Sequence, residues 1–158
     1  MKTNCNCEIF WKIILKVYRN ILSIQLNIVK KMRKLKKKLT AMIFGISGQD
    51  GSYLANLLLK KNYNVFGTTR NISKKNLKNL VKLKVINKIK VIKCDIANFF
   101  AVKKLIQINK PNEIYYLCGQ SSVTKSYINP AETFKSNTLG LLNILEIVKK
   151  TNKKIKVF

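Results

Sequence analysis

The sequence contains no histidine, which excludes a histidine general base, a Ser-His-Asp triad and histidine metal ligands within it. Four cysteines are too few for a disulfide-stapled fold in an 18.2 kDa chain. Cys5 and Cys7 form a C-x-C pair with no second pair nearby, so we predict no metal site. Cys94 and Cys118 end apolar runs, which indicates buried thiols in a reducing cytoplasm.

Acidic residues are also scarce, since 6 of them face 32 lysines and arginines and leave a net charge of +26. Such a charge indicates a nucleic-acid or anionic-membrane partner, or a drift in composition. Of the basic residues 29 are lysines, and 18 asparagines and 20 isoleucines accompany them, as is typical of an AT-rich genome. The lysines are scattered and arginines for base contacts are rare. We therefore favour drift and predict no nucleic-acid partner.

Residues 1–39 contain no glycine or proline and form a basic extension distinct from the rest. Polar residues recur every three or four positions across Ile9–Lys31, which predicts an amphipathic helix. Lys16 and Arg19 interrupt the segment, so it is a poor membrane span. A helix lying on a membrane surface is one interpretation. We favour the other, an extra helix docked on a partner or upstream sequence translated from a mis-started frame, and expect no membrane contact.

From residue 40 to 158, apolar runs alternate with amphipathic segments. The predicted strands are Thr40–Ile46, Asn64–Thr69, Lys90–Asp95, Glu113–Leu117 and the opening of a fifth at Ile155–Phe158. The predicted helices are Ser52–Lys61, Ser73–Val85, Asn98–Asn109 and a long helix from Pro130, capped by Asn129 with Glu132 closing a capping box. Repeated βα units predict an α/β fold, a Rossmann-like doubly wound parallel sheet truncated in its fifth strand. Residues 40–158 are therefore expected to form one domain.

Glycines recur with G-x-x-G-x-x-G spacing in the turn between the first strand and the first helix. Glycine permits a tight bend, and it lets the backbone approach a pyrophosphate while the helix N-terminus supplies N–H groups. Because the triplet sits between an apolar strand and an amphipathic helix, it predicts a dinucleotide site rather than a structural turn. The candidate residues are Gly45, Ile46, Ser47, Gly48, Gln49, Asp50 and Gly51.

The residues after the second strand indicate which dinucleotide binds. An NAD site usually places an acid there, whereas Thr68–Asn71 offers none and contains Arg70, whose guanidinium suits a 2′-phosphate. We therefore predict NADP. Asp95 ends the third strand, where its carboxylate can accept from the adenine amino group. Leu117–Ser122 follows the fourth strand, at the edge where ligands of parallel sheets bind.

Three motifs carry a family resemblance: GISGQDGSYL at 45–54, VFGTTR at 65–70 and EIYYLCGQSSV at 113–123. Together they resemble the extended short-chain dehydrogenase/reductase superfamily and, within it, the GDP-mannose 4,6-dehydratases, over residues 40–158. The resemblance implies an NADP-dependent lyase that converts GDP-mannose to GDP-4-keto-6-deoxymannose and water. It also allows a homo-oligomer.

The resemblance further implies roles for individual residues. Gly45–Asp50 would line the pyrophosphate, and Arg70 with Ser73 would hold the 2′-phosphate. Asp95 and Ile96 would hold the adenine. The nicotinamide ribose would be flanked by Leu117, Cys118, Gly119, Gln120 and Ser121. Thr133 matches a cofactor-binding position of the family only if the alignment shifts by one residue near Pro130.

The family's catalytic Tyr-x-x-x-Lys pair is absent, because none of the six tyrosines has a lysine four residues later. We therefore predict no catalytic residue here and expect an amino-terminal portion that is inactive alone. Two alternatives stay open: a fragment of another NAD(P)-dependent sugar-nucleotide epimerase or dehydratase, and a non-catalytic nucleotide-binding module.

Overall fold

A computed structural model describes residues 5–35 and 38–158, which fall into two compact units divided between Lys37 and Lys38. The first unit is a single helix, α1 (Cys5–Leu35). The helix predicted over Ile9–Lys31 is thus confirmed and extends further at both ends. In the described part of the chain, no helix combines the length and the apolar character needed to cross a bilayer.

The second unit alternates strands with helices around one parallel sheet. Its strands are β1 (Thr40–Phe44), β2 (Asn64–Thr69), β3 (Lys90–Lys93), β4 (Glu113–Tyr116) and β5 (Lys156–Val157), in the order β3-β2-β1-β4-β5. The helices are α2 (Gln49–Lys60), α3 (Lys78–Lys82), α4 (Phe99–Asn109), α5 (Val123–Ile128), α6 (Pro130–Phe134) and α7 (Gly140–Thr151). The predicted Rossmann-like α/β fold is confirmed.

The central strand β1 has apolar side chains on both faces, so each face supports its own core. Met42 and Phe44 belong to the cluster that includes α4 and α7. Ala41 and Ile43 belong to the cluster that includes α2 and α3. Burial on both sides explains why β1 is a continuous apolar run rather than an alternating one.

The capping of α4 follows the prediction. The Asn98 side chain accepts a hydrogen bond from the Ala101 N–H at 3.0 Å, so it is the N-cap of this helix.

The predicted helix Ser73–Val85 is wrong over most of its length, because only Lys78–Lys82 is α-helical. The Ser73 hydroxyl accepts from the Asn76 N–H at 3.3 Å, and this local turn replaces the first helical turns. At the other end, Lys84 has a φ of 55°, which ends the helix.

The long helix predicted from Pro130 is confirmed, since the chain is helical without a break from Pro130 to Thr151, but it is not α-helical throughout. A π-helical turn at Lys135–Leu139 divides it into α6 and α7. The Asn129 side chain caps α6 by accepting from the Glu132 N–H at 3.1 Å, as predicted. The predicted capping box does not form, because the Glu132 carboxylate pairs with Arg70 instead.

Candidate functional site

A cavity of about 520 Å³ opens at the carboxyl ends of β1, β2, β3 and β4. This is the edge at which parallel sheets bind ligands, and the volume lies in the range of cofactor sites. Its walls come from four loops, from α6 and from the π-helical turn that follows α6. The lining residues are Gly45, Ser47, Gly48, Thr68, Thr69, Arg70, Asn71, Asn76, Cys94, Asp95, Ile96, Ala97, Leu117, Cys118, Glu132, Lys135 and Ser136.

The glycine turn is shaped by close backbone approaches. Gly45 has a φ of +88°, and a Cβ there would lie 2.6 Å from the Leu117 carbonyl carbon and closer still to its oxygen. A Cβ on Gly51 would lie 2.9 Å from the Ile46 Cα and would press on the Gly45 carbonyl. Both positions therefore require glycine, one for the bend out of β1 and the other for the approach of α2.

Two amides and one hydroxyl fix the turn to the end of β2. The N–H groups of Gly45 and Ile46 both donate to the Thr68 carbonyl at 3.2 Å, and the Ser47 and Thr69 hydroxyls lie 3.1 Å apart. The Ile46 side chain is buried in the core beside Gly67. Ile46 was predicted to line the site, but its amide and side chain both serve the fold.

The first turn of α2 begins beside the cavity at Gly48, its N-cap. The N–H groups of this turn have no acceptor within the helix, so they are oriented for an anion. Gln49 and Asp50 belong to this turn, but they are exposed and do not line the cavity. Their backbone N–H groups belong to the helix N-terminus beside the cavity, whereas their side chains are not part of its lining.

The wall after β2 contains Arg70 and its unexpected partner. The Arg70 guanidinium forms an ion pair with the Glu132 carboxylate of α6, across 62 residues of sequence. Ser73, predicted beside Arg70, does not line the cavity, whereas Asn76 does. The Asn76 side chain donates to the Asn71 carbonyl at 3.4 Å, which ties this loop together.

The wall after β3 is held by a buried amide. The Asn143 side chain of α7 donates to the carbonyls of Ile96 and Ala97, both at 3.1 Å. Asp95 accepts from the Ala97 N–H at 3.0 Å and stays exposed at the cavity. Asp95 and Ile96 thus lie where the sequence placed them, on one wall of the cavity.

Only the first part of the loop after β4 lines the cavity. Leu117 and Cys118 line the cavity, whereas Gly119, Gln120 and Ser121 do not. The Gln120 N–H donates to the Asn137 side chain at 2.6 Å, so this stretch is anchored to the π-helical turn. A neighbouring cavity of about 190 Å³ is lined in part by Gln120 and Thr133 and shares Glu132 with the main cavity, so Thr133 lies beside the main cavity but not in its lining.

Burial raises the pKa values of two thiols and one phenol at the site. Burial raises the pKa of the Cys118 thiol to about 12, with Arg70 opposing the shift, and burial raises the pKa of Cys94 to about 11. Burial also raises the pKa of Tyr116 to about 12, and its hydroxyl donates to the Ser136 carbonyl. These groups stay protonated near neutral pH and are poor bases or nucleophiles there.

Nine lining residues were not among the predicted cofactor-binding residues: Thr68, Thr69, Asn71, Asn76, Cys94, Ala97, Glu132, Lys135 and Ser136. Glu132 carried a signal, as one of six acids in the chain, but its spacing from Asn129 assigned it to a cap. Among the described residues, no group of three cysteine, aspartate or glutamate side chains could hold a metal ion. The side chains of Cys5 and Cys7 lie outside that description.

Comparison with known proteins gives a family for this sequence. The model of the family described as GDP-mannose 4,6 dehydratase matches residues 42–158. GDP-mannose 4,6 dehydratase 1 of Arabidopsis thaliana is 35% identical over 124 residues, which is 75% of this chain and 34% of that protein. The human GDP-mannose 4,6 dehydratase is 36% identical over 120 residues, covering 72% of this chain and 32% of that protein. The chain spans about a third of the length of these relatives.

Solved structures show the same fold. UDP-glucose 4-epimerase from Thermotoga maritima superposes with a TM-score of 0.64 at 24% identity, over 72% of this chain and 35% of that one. The Thermus thermophilus UDP-glucose 4-epimerase, solved as a complex with NAD, gives a TM-score of 0.61 at 22% identity, over 71% and 34%. At such identities the similarity establishes the fold alone.

Proposed function

This chain belongs to the GDP-mannose 4,6-dehydratase family, and we propose that residues 40–158 bind NADP for the dehydration of GDP-mannose. The observation that carries the proposal is the cavity at the carboxyl ends of β1 to β4. It joins the glycine turn, the only arginine of the second unit and the Asp95 carboxylate in one space. Phosphates, a 2′-phosphate and an adenine amino group require this set of donors and acceptors.

Different walls of the cavity bind different parts of the cofactor. The glycine turn and the first N–H groups of α2 hold the diphosphate, because donors without intrahelical acceptors converge there. Arg70 binds the 2′-phosphate as a fork of donors. Asp95 accepts from the adenine, and Leu117 and Cys118 flank the nicotinamide side.

NADP, when bound, supplies the chemistry of accepting a hydride from the sugar and returning it. The chain's own residues bind and orient the cofactor. We assign no catalytic group to these 158 residues, since the sequence has no Tyr-x-x-x-Lys pair and the thiols lining the cavity have raised pKa values. Cys94 and Cys118 are free thiols, which fits a reducing compartment, and we propose the cytoplasm.

Isothermal titration of the whole chain with NADP⁺ and with NAD⁺ tests the proposal. NADP⁺ is expected to bind more tightly than NAD⁺, and Arg70→Ala is expected to weaken NADP⁺ by about tenfold or more, from the loss of charge-assisted hydrogen bonds. Lys74→Ala is the matched control, because Lys74 is an exposed cation of the same loop and does not line the cavity. The proposal would be refuted if neither NADP⁺ nor NAD⁺ bound at millimolar concentration.

A further inference from the structure

The Arg70–Glu132 ion pair spans the cavity between the loop after β2 and helix α6. The side chain of Arg70 is 67% exposed and that of Glu132 is 44% exposed, so both remain accessible from the open side. A guanidinium that pairs with a carboxylate offers fewer donors to a second anion. Glu132 therefore takes up N–H donors of the Arg70 guanidinium that a 2′-phosphate would use.

Glu132 also restores to this end of β2 the acid that the local sequence lacks. A carboxylate at that position accepts hydrogen bonds from ribose hydroxyls and repels a 2′-phosphate. In this chain, the carboxylate comes from α6, while Thr68–Asn71 carries none. The two cofactors thus meet an arginine that favours NADP and a glutamate that favours NAD.

We propose that Glu132 is a specificity-determining residue that competes with the 2′-phosphate for Arg70 and so reduces the preference for NADP over NAD. The inference rests on the proposed function, since it requires a nicotinamide dinucleotide in the cavity. Lys135 also lines the cavity and Asp95 lies on the wall after β3, so loss of the Glu132 charge leaves the lining with two cations and one anion.

The size of the effect follows from the exposure of the pair. Exposed ion pairs are weak, and the competition therefore changes affinity by a small factor, about two- to fivefold. Added salt screens the pair, so the effect is expected to be largest at low ionic strength.

Titration of the whole chain with adenosine 2′,5′-bisphosphate, adenosine 5′-monophosphate, NADP⁺ and NAD⁺ tests this. Glu132→Gln is expected to tighten the two 2′-phosphorylated ligands by about two- to fivefold at low salt and to leave or weaken the other two. In an Arg70→Ala background the same substitution is expected to have less effect, because the guanidinium for which Glu132 and the 2′-phosphate compete is gone. Glu132→Ala is the second variant and should change affinities in the same direction.

Glu146→Gln is the matched control, because Glu146 forms an exposed ion pair of similar character with Lys150 on α7, at 3.2 Å. It removes the same charge away from the cavity and should not change any of the four affinities. Unchanged or weaker NADP⁺ binding by both Glu132 variants would overturn the inference. If wild-type binding still depended on Arg70, the proposed function would survive that result. If no variant bound NADP⁺ or NAD⁺, both would fall.

Discussion

Gly45→Ala is expected to destabilise the second unit by about 2–5 kcal/mol. The positive φ of +88° costs an L-residue about 1–2 kcal/mol. The new Cβ would also lie 2.6 Å from the Leu117 carbonyl carbon and 3.0 Å from the Cys118 nitrogen. Relieving this overlap moves backbone rather than a flexible side chain, and overpacking of this kind costs about 1–3 kcal/mol more.

Urea unfolding followed by far-ultraviolet circular dichroism measures the loss as a lower midpoint. Gly48→Ala is the matched control, because Gly48 lies in the same turn with an ordinary φ of −69°. Its added Cβ would lie 3.3 Å from the Gly45 carbonyl oxygen, and we expect a loss below about 1 kcal/mol. Equal losses in the two variants would show that the tight bend at Gly45 does not limit stability.

Three further predictions concern groups around the cavity. Asn143→Ala leaves the buried Ile96 carbonyl and the part-buried Ala97 carbonyl without their shared donor and is expected to cost about 1–3 kcal/mol of unfolding free energy, whereas an unchanged urea midpoint would contradict the bonding described. Gly67→Ala brings a Cβ to 2.6 Å from the Ile46 Cγ2, so the Gly67→Ala/Ile46→Ala double variant is expected to lose less stability than the sum of the single variants, and strict additivity would refute that contact. The thiols of Cys94 and Cys118, with pKa values raised to about 11 and about 12, are expected to react with iodoacetamide more slowly than glutathione at pH 8, because the thiolate reacts and only a small fraction is present. Mass spectrometry of the peptides measures that rate, and modification as fast as glutathione would contradict the raised pKa values.

Local sequence was enough to predict the elements whose cause is local. β2 was predicted with both of its ends correct, since an apolar run is bounded by Asn64 and by the polar loop after Thr69. The Asn98 cap was predicted because a capping side chain acts on its own helix. The two ends of the predicted helix Ser73–Val85 were wrong, because a short polar turn competed with a weak helical periodicity.

Contacts between distant segments could not be predicted in this way. The pairing of Glu132 with Arg70 depends on where α6 packs, and the π-helical turn that follows α6 leaves no simple periodicity in the sequence. Ile46 illustrates the same limit. It was assigned to the site because it lies in the glycine turn, but the bare surface of Gly67 on the neighbouring strand admits its side chain to the core.

The walls of the cavity are drawn from segments as far apart as Gly45 and Ser136. Every strand is parallel to its neighbours, so no β-hairpin forms part of the site. Each wall of the cavity therefore forms only when segments far apart in the sequence come into contact. A ribosome adding 5–20 residues per second needs about 5 to 18 s to pass from the first wall to the last. During that interval the emerging polypeptide has no closed cavity, so a ligand of this cavity can assist only the late steps of folding.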